Sequence, residues 1–596
     1  MMKTVTILAA FLIAPTLVRG ADTKDAFVSL AKYIREKPGI AAKDGALRKL
    51  AIESIARCEA QEAIGIYAGF LMKTLNGKKK GKLPKERVSV MLKATDAAML
   101  LSYYEFSAKC APWKREATEW LFSSNQHLRL FLDTLTPYDD WGAAYHIIEQ
   151  LHEHDPKHRD EYRSLIMALA VVWDQPRPPL HGQMGGNQLP YKTDIIGRYD
   201  YFRDLFASRK AEIAYRKLSV SALTMIVDTP VPLAELEWVR EHVKPRSWSK
   251  KFSEIRYATG RLERRVYQWP GGVYALATIK SSGGICVDQA YYAVLCSRAW
   301  GVPALIFVGE GRRGPHAWFG YMKGTTNWEM DIGRYTYDKY ASGRALNPQT
   351  NQDMSDHYLQ FLCDRSLSAS RYRKASSLAR LAHVLRRTEC FTAAKQAAQA
   401  SIDVAPLYER SWTILAEIYQ QQGKKRSLLD LLEKQAVAFR KYDDYVVDIH
   451  NRQATLLREL GETDKADRIV RRSQSRMSRK RDDLTRFLAS EQIERHYKAG
   501  KYTLARKEME KLLKKQKNEG QKVVQLVDSY LTLTKEMGQE KDAARFMRRY
   551  SDSMRRAFDK SDHNERIILN FLLRAYENAE DEKNSARTRK KIGKLH

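Results

Sequence analysis

The sequence predicts a mostly α-helical chain with one small α+β core in its middle. From residue 21 to about residue 245, apolar residues recur every three or four positions, as they do along helices. Between residues 246 and 355, short apolar and aromatic runs typical of strands surround a Gly-Gly-Ile-Cys stretch. From residue 356 to residue 596, helical segments repeat at a regular spacing. These three observations define three parts of the chain. Residues 1–20 form a fourth part that precedes them.

Residues 1–20 have the pattern of a secretory signal. Lys3 precedes an apolar run from Val5 to Val18, and small residues follow at Gly20 and Ala21. The run is shorter than the ~20 apolar residues of a membrane-spanning helix, and no later stretch approaches that length. We therefore expect cleavage after residue 20, export to the periplasm or the medium, and no transmembrane segment.

Residues 21–245 are predicted to form a helical domain. Loop signals at residues 77–81 and 175–186 divide it into helical hairpins. One stretch, Leu218–Val231, is extended in character and is predicted as a strand or a connector. The histidines of Leu151-His-Glu-His-Asp-Pro-Lys-His lack the His-Glu-x-x-His spacing of a zinc site. No metal or other cofactor is expected.

The stretch before Cys286 organises the central region, residues 246–355. Gly283 and Gly284 permit a tight approach, and Cys286 stands at the start of a helix predicted to run to about Trp300. A strand is predicted at Pro303–Val308. A thiol at a helix N-terminus faces unpaired N–H groups and the positive end of the macrodipole, which stabilise the thiolate. Cys286 is therefore the candidate nucleophile.

His316 and Asp331 follow in segments predicted as two adjacent antiparallel strands. Such strands could hold the imidazole beside the sulfur and the carboxylate behind the imidazole, which is the order of a Cys-His-Asp triad. Glu329 or Asp338 would replace Asp331 if the strand register differed by one or more residues. The predicted catalytic residues are Cys286, His316 and Asp331.

Four motifs of this region resemble the transglutaminase-like superfamily, which has a papain-like fold. They are Gly284-Ile-Cys286-Val-Asp288, Arg298-Ala-Trp-Gly301-Val-Pro303-Ala304, His316-Ala-Trp318 and Trp328-Glu-Met-Asp331. The resemblance covers about residues 256–350, under a fifth of the chain. It implies that Cys286 is the nucleophile, His316 the general base and acid, and Asp331 the group that orients the imidazole.

Two further roles at this site are left open. Asp288 matches the acidic position of the family, and its place near the helix start favours capping over catalysis. An acyl-transfer site also needs donors aimed at the developing oxyanion. The backbone N–H of Cys286 is one candidate, and Gln268 or Trp269 could supply a second or be purely structural.

Residues 356–596 carry a repeat. Gly461, Gly500 and Gly538 recur every 38 or 39 residues, and an alanine follows each of them five residues later. Trp412-x-x-Leu-Ala-x-x-Tyr419 with Gly423 resembles the first half of a tetratricopeptide unit, and Ala394 with Pro406 fits the second half of the preceding unit. We expect a stacked α-solenoid with a basic concave face and a capping helix pair at residues 566–591. It would bind a protein partner or pack on the cysteine domain.

The net charge of +31 comes from Lys and Arg residues spread over both helical regions, with a concentration from Arg471 to Lys515. No nucleic-acid-binding motif emerges, so nucleic acid is not the expected partner. Solvated helix faces explain most of this charge, and attraction to an anionic envelope surface is the alternative.

The remaining cysteines suit an oxidising compartment. Cys286 and Cys296 would lie about 15 Å apart on one helix, too far for a disulfide. Cys58 with Cys110 and Cys363 with Cys390 are the candidate pairs, although buried free thiols are as common.

The function predicted from these features is that of an exported cysteine enzyme acting on amide bonds of a protein or peptide substrate through a thioacyl intermediate. Hydrolysis is favoured over cross-linking, because the sequence shows no second, amine-admitting cleft. The alternative is a non-catalytic scaffold whose repeats bind a protein partner in the cell envelope.

Overall fold

The computed structural model is mostly helical and contains one antiparallel sheet of five strands. It describes residues 24–37, 45–56, 59–76, 85–107, 113–187, 190–311, 314–325, 327–334, 343–362, 369–478, 481–515, 520–557 and 562–595. The expected signal at residues 1–20 and Cys58, Cys110 and Cys363 lie outside these ranges. Two compact units can be distinguished: Met1–Leu132 with Arg380–Ala397, and Asp133–Ala379 with Ala398–His596.

The first unit is built from helices α1 to α5, most of α6 and the later segment Arg380–Ala397. Their bounds are α1 Lys24–Glu36, α2 Ala46–Ala56, α3 Ala60–Asn76, α4 Lys85–Ser107, α5 Arg115–Ser123 and α6 Asn125–Thr134. Inside it, the buried Asp96 accepts hydrogen bonds from Arg129 and Arg380, each at 2.9 Å. The two guanidinium groups compensate the charge that burial of this carboxylate would otherwise leave unpaired.

The second unit begins with helices that support the sheet. They are α7 Trp141–His154, α8 Arg163–Trp173, α9 Ile195–Ala207, α10 Val220–Val227, α11 Leu233–His242, α12 Thr259–Glu263, α13 Leu276–Ser282 and α14 Cys286–Ala299. The predicted helix after Cys286 is thereby confirmed, and it packs on the first two strands.

The prediction of an extended segment at Leu218–Val231 was wrong in its centre. Val220–Val227 is α-helical, and the Ser219 hydroxyl caps it by accepting the N–H of Ala222. Six of its eight residues are buried, and it packs on α8 and α14. A short apolar run buried on all sides has no periodicity that separates a strand from a helix, so the cap and the tertiary packing decide.

The sheet has the order β3-β2-β1-β4-β5, and all neighbours are antiparallel. The strands are β1 Ala304–Gly311, β2 Gly314–Lys323, β3 Asn327–Ile332, β4 Arg344–Leu346 and β5 Asp353–Ser355. The predicted antiparallel pair that carries His316 and Asp331 is confirmed as β2 and β3. One face buries Leu305, Phe307 and Trp318.

A β-bulge interrupts the pairing of β2 with β3. Phe319 pairs with Ile332 and Tyr321 pairs with Glu329, so Gly320 alone faces both Met330 and Asp331. One extra residue on β3 changes which side chains share a face on the two sides of the bulge. The bulge therefore determines where the Asp331 carboxylate points.

After the sheet, the chain is helical to its end. Helix α15 spans Asp356–Leu362, and six helix pairs follow: α16 Ala369–Arg387 with α17 Phe391–Val404, α18 Glu409–Gln421 with α19 Lys425–Ala438, α20 Asp443–Glu459 with α21 Thr463–Met477, α22 Asp482–Lys498 with α23 Tyr502–Lys515, α24 Gly520–Glu536 with α25 Glu540–Ala557, and α26 Asp562–Asn578 with α27 Glu582–Ile592. The predicted repetition of helix-turn-helix units is thereby confirmed.

The turn inside each pair is built alike. Three residues separate the two helices, and the middle one has positive φ in all six pairs: Glu389, Gly423, Gly461, Gly500, Gly538 and Glu580. The residue five positions later is buried in every pair: Ala394, Leu428, Ala466, Ala505, Ala543 and Ser585. Glycine adopts this left-handed conformation without strain, which explains the glycine spacing seen in the sequence.

The two glutamates at these turns provide a stability test. We expect Glu580→Gly to slow amide hydrogen exchange in α26 and α27, because relief of the left-handed strain outweighs the entropy cost of glycine by about 0.5–1 kcal/mol. Gly500→Ala, at the matching turn, should speed exchange in α22 and α23 by a similar free energy. Faster exchange in Glu580→Gly would contradict the assignment of strain to this turn.

The second and third helix pairs contact α15, the helix that follows the sheet. The Phe361 ring of α15 contacts the rings of Phe439, Tyr442 and Tyr445, with centroids 4.6–5.9 Å apart. Helix α15 lies within residues 356–596, so this contact joins parts of the predicted repeat region, and packing on the cysteine domain and partner binding both stay predictions. Among the residues that the structure describes, none of the helices has the length and hydrophobicity needed to cross a bilayer.

Candidate cysteine site

The turn before Cys286 requires its two glycines. Gly283 has φ +79°, and a Cβ atom there would lie 2.5 Å from the carbonyl oxygen of Arg256. A Cβ atom on Gly284 would lie 2.4 Å from Cβ of Asp288. The N–H of Gly284 donates to that same Arg256 oxygen at 3.0 Å. This close approach allows α14 to begin at Cys286.

Asp288 holds the start of α14 in place. Its fully buried carboxylate accepts the backbone N–H of Ile285 at 2.9 Å, the Arg261 guanidinium at 2.7 Å and the Tyr274 hydroxyl at 2.8 Å. The N–H of Ile285 precedes the first turn, so Asp288 acts as the capping residue that the sequence favoured. With three donors the carboxylate is engaged in holding the helix.

A chain of hydrogen bonds continues from Asp288. His181 accepts the N–H of Gln183 at Nδ1 and lies 2.8 Å from the Tyr274 hydroxyl through Nε2. Burial lowers the pKa of His181 to about 3, so this ring is neutral and Nε2 is the donor. Burial, followed by the charge of Asp288, raises the pKa of Tyr274 well above its usual range. Tyr274 therefore keeps its proton and donates it toward Asp288.

The thiol of Cys286 lies against the strand that carries His316. The backbone N–H groups of Ala317, the residue directly after His316 on β2, and of Val287 lie near enough to the sulfur to influence its pKa. Burial, the largest influence, raises the pKa of this thiol, while the two N–H groups lower it. The resting thiol is therefore protonated at neutral pH, in contrast to the low pKa expected from the helix N-terminus alone.

His316 is buried and is held by a backbone carbonyl. Its Nε2 atom lies 2.7 Å from the carbonyl oxygen of Gly333. Because a carbonyl only accepts, Nε2 carries the proton and Nδ1 is the basic atom of the neutral ring. Gly333 has φ +86°, and a Cβ atom there would lie 2.5 Å from the Phe252 ring. Only glycine suits this position.

Asp331 makes a different contact. Its side chain is 63% exposed, and Oδ1 accepts from Arg334 at 2.7 Å. Arg334 in turn lies 4.8 Å from the Trp318 ring and 3.5 Å from Asp356. Among the contacts of the described residues, the Asp331 carboxylate bonds Arg334 and not the imidazole of His316. Its role as the orienting group stays a prediction.

The alternatives to Asp331 are placed as follows. Glu329 accepts the Tyr321 hydroxyl at 2.9 Å, and Asp338 lies outside the described residues. The structure thus brings together Cys286 and the strand of His316, and it places the carboxylates of Asp331 and Glu329 on other partners.

The two candidates for a second oxyanion donor differ in their contacts. The Gln268 amide bridges a neighbouring loop, accepting from the N–H of Gly185 at 3.3 Å and donating to the carbonyl of Gly182 at 3.2 Å. The buried Trp269 ring lies 5.4 Å from the Arg261 guanidinium, and its Nε1 has no hydrogen-bond partner among the described residues. Trp269 therefore retains a spare donor, whereas Gln268 ties two loops together.

Sequence reasoning did not find Gly333, Arg261 or His181. A signal existed for Gly333, because a glycine directly after a predicted strand often marks a backbone position with positive φ. Arg261 lies 27 residues before Asp288 and His181 lies 107 residues before it, and Asp288 and Tyr274 connect them, so no local pattern could link them.

Other thiols and histidines of the chain lie in different surroundings. Cys296 is fully buried, and Cys390 is a free thiol, so of the two alternatives left open for Cys390 the free thiol is observed. His154 contacts Asp200 and His158 contacts Asp155, each at 3.0 Å. Within the described ranges, no three His, Cys, Asp or Glu side chains are grouped as metal ligands.

Comparison with protein-family models returned no match for this chain. A search of curated protein sequences also returned no significant match. The interpretation of the Cys286 site therefore depends on its own residues and geometry.

Proposed function

We propose that this protein is a cysteine-dependent amide hydrolase of the transglutaminase-like type, in which Cys286 is the nucleophile and His316 the general base and acid. One observation carries the proposal: α14, which begins at Cys286, packs on β2, the strand of His316, and the backbone N–H of Ala317, next to His316, lowers the pKa of the thiol. A cysteine-bearing helix packed on an antiparallel sheet that carries the histidine supports a papain-like core. The helix pairs support tetratricopeptide-like repeats.

In the proposed reaction, Nδ1 of His316 takes the Cys286 proton as the sulfur attacks the carbonyl carbon of an amide. The backbone N–H of Cys286 donates to the resulting oxyanion. The C–N bond then breaks while His316 passes the proton to the leaving amine, and a thioacyl enzyme remains. Water, deprotonated at Nδ1, attacks the thioester and releases the acid, and the proton returns to the sulfur.

The raised pKa of the thiol gives His316 a specific role. A thiol that is neutral at rest must lose its proton during attack, so the base acts in the same step as the nucleophile. A protein or peptide amide is the proposed substrate, and export to the periplasm or medium is the proposed location. Hydrolysis remains favoured over cross-linking for want of an amine-admitting cleft.

The test is the rate of alkylation of Cys286 by iodoacetamide in the full chain, followed by peptide mass spectrometry. At pH 7 we expect Cys286 to react faster than Cys390, a half-buried free thiol that serves as an internal reference. His316→Ala should slow labelling of Cys286 by about 100-fold or more. Because burial raises the thiol pKa, the rate in this variant should rise only at alkaline pH.

Cys286→Ala should remove this label and leave the Cys390 label unchanged. If Cys286 reacts no faster than Cys390 and His316→Ala changes nothing, the second candidate function is favoured. That candidate is a non-catalytic scaffold whose repeats bind a protein partner. The raised pKa of Cys286 and the exposed, Arg334-bound carboxylate of Asp331 are the observations on its side.

A further inference from the structure

Positive charge in the last four helix pairs is concentrated on the second helix of each pair. The second helices α21, α23, α25 and α27 carry 21 Lys and Arg residues against 8 Asp and Glu residues. The first helices α20, α22, α24 and α26 carry 9 against 13. The basic character of this region is therefore a property of one layer of helices.

Within that layer, the basic residues occupy equivalent positions. Counted from the positive-φ residue of each turn, the residues seven and eleven positions later are basic in all four pairs. We call these eight side chains the basic ladder: Arg468 and Arg472, Lys507 and Lys511, Arg545 and Arg549, Arg587 and Lys591. All eight are exposed. Residues four apart share one face of a helix, so each pair forms one rung.

The ladder faces away from the packed side of its helices. The residue five positions after each turn is buried, and at 3.6 residues per turn it lies about 140° around the helix from the middle of the rung. The ladder charges are also largely uncompensated. Within the described residues, only Arg545 and Lys511 have an acidic group in ion-pair range, at 3.3 Å from Asp542 and 3.9 Å from Glu508.

Ordinary surface chemistry does not favour this pattern. Like charges four residues apart on a helix are destabilising, by about 0.2–0.5 kcal/mol for each pair. Four such rungs at equivalent positions therefore cost stability, and among the described residues only Arg545 has a buried acid, Asp542, in range. A bound anion would offset this cost, because it neutralises both members of a rung at once.

We propose that the basic ladder binds a linear phosphodiester polymer that runs across the second helices of the last four pairs. A linear polyanion matches one rung on each successive pair. Five of the eight residues are arginines, whose planar guanidinium groups donate two parallel hydrogen bonds to phosphate oxygens. Of the large apolar side chains on the described parts of these four helices, only Leu504 is exposed, which leaves little to insert into a membrane.

Recognition by the ladder would not depend on the identity of the polymer units. Its rungs offer charges and no aromatic platform for stacking bases, so contact is limited to the phosphate backbone. Binding would therefore release counterions and weaken steeply with salt. This surface is separate from the Cys286 site, and the inference does not rest on the proposed hydrolase activity.

The experiment measures binding of a fluorescent oligothymidylate to the full chain over a series of salt concentrations. The test variant replaces two rungs with glutamine: Arg545→Gln, Arg549→Gln, Arg587→Gln and Lys591→Gln. The control removes four exposed cations elsewhere: Lys49→Gln, Lys93→Gln, Lys244→Gln and Arg246→Gln. Glutamine is a good helix former, so circular dichroism should show both variants folded.

We expect the test variant to reduce the slope of log affinity against log salt by about 3, because each phosphate of a single strand that a cation neutralises adds ~0.7 to that slope. The control should leave the slope unchanged. Equal weakening of oligothymidylate binding in both variants would overturn the proposal, because the ladder would then contribute no more than any other exposed positive charges. Equally tight binding of polyglutamate, or of vesicles containing phosphatidylglycerol, would overturn the choice of a phosphodiester polymer.

Discussion

Asp288→Ala is expected to destabilise the cysteine core by about 3–5 kcal/mol, the usual cost of breaking a buried ion pair by removing one partner. The Asp288 side chain is fully buried, and its partner Arg261 is 8% exposed. Without the carboxylate, the Arg261 guanidinium would keep its bonds to the carbonyls of Val266, Tyr267 and Gln268 but lose its counter-charge. The N–H of Ile285 would also lose its cap, so the helix start that carries Cys286 should fray.

Hydrogen exchange of the segment from α12 to α14 measures this effect locally, which avoids treating a chain of several units as two-state. Asp331→Ala is the control, because it removes a carboxylate of the same core that is 63% exposed and should cost less than about 1 kcal/mol. The loss of stability in Asp288→Asn should lie between those of the two alanine variants, since asparagine keeps a hydrogen-bond acceptor but not the charge. A cost below about 1 kcal/mol for Asp288→Ala would show that the network does not hold the helix.

Gly333→Ala is expected to slow alkylation of Cys286 by about 100-fold, the effect that a displacement of about 1 Å can have on a positioned group. The added methyl group would meet the Phe252 ring, and φ +86° is strained for alanine. The carbonyl that holds Nε2 of His316 would therefore shift. Asp331→Asn should change the rate by less than about 3-fold, because its carboxylate contacts Arg334.

Gly324→Ala is the control that distinguishes a displaced His316 ring from the general effect of a strained alanine. Gly324 lies in the turn between β2 and β3 with φ +85°, and nothing would touch a Cβ atom there. This variant should lose stability and keep the labelling rate. Nitrogen chemical shifts of His316 provide a second readout, and wild type should show the tautomer protonated at Nε2. If Asp331→Asn slows labelling as much as Gly333→Ala, the carboxylate orients the ring, as the family resemblance implies.

The sequence was sufficient where the structural signal is local. The Gly283-Gly284 turn, the helix from Cys286 and the strands around His316 follow from residue types and spacing within a few positions. The repeats could be predicted equally well, because glycine occupies four of the six left-handed turns. At Glu389 and Glu580 the same turn occurs without glycine, so the spacing alone could not show it.

Only the tertiary structure decided which groups meet. A single extra residue in β3 turns the Asp331 carboxylate toward Arg334, and no residue pattern specifies a bulge of one residue. The contact of His316 with the Gly333 carbonyl, and that of Asp288 with Arg261, join segments whose distance in the chain carries no information about contact. Composition determines how much charge the chain carries, but the packing of each second helix decides that the basic ladder faces solvent, because burial of one face directs the opposite face outward.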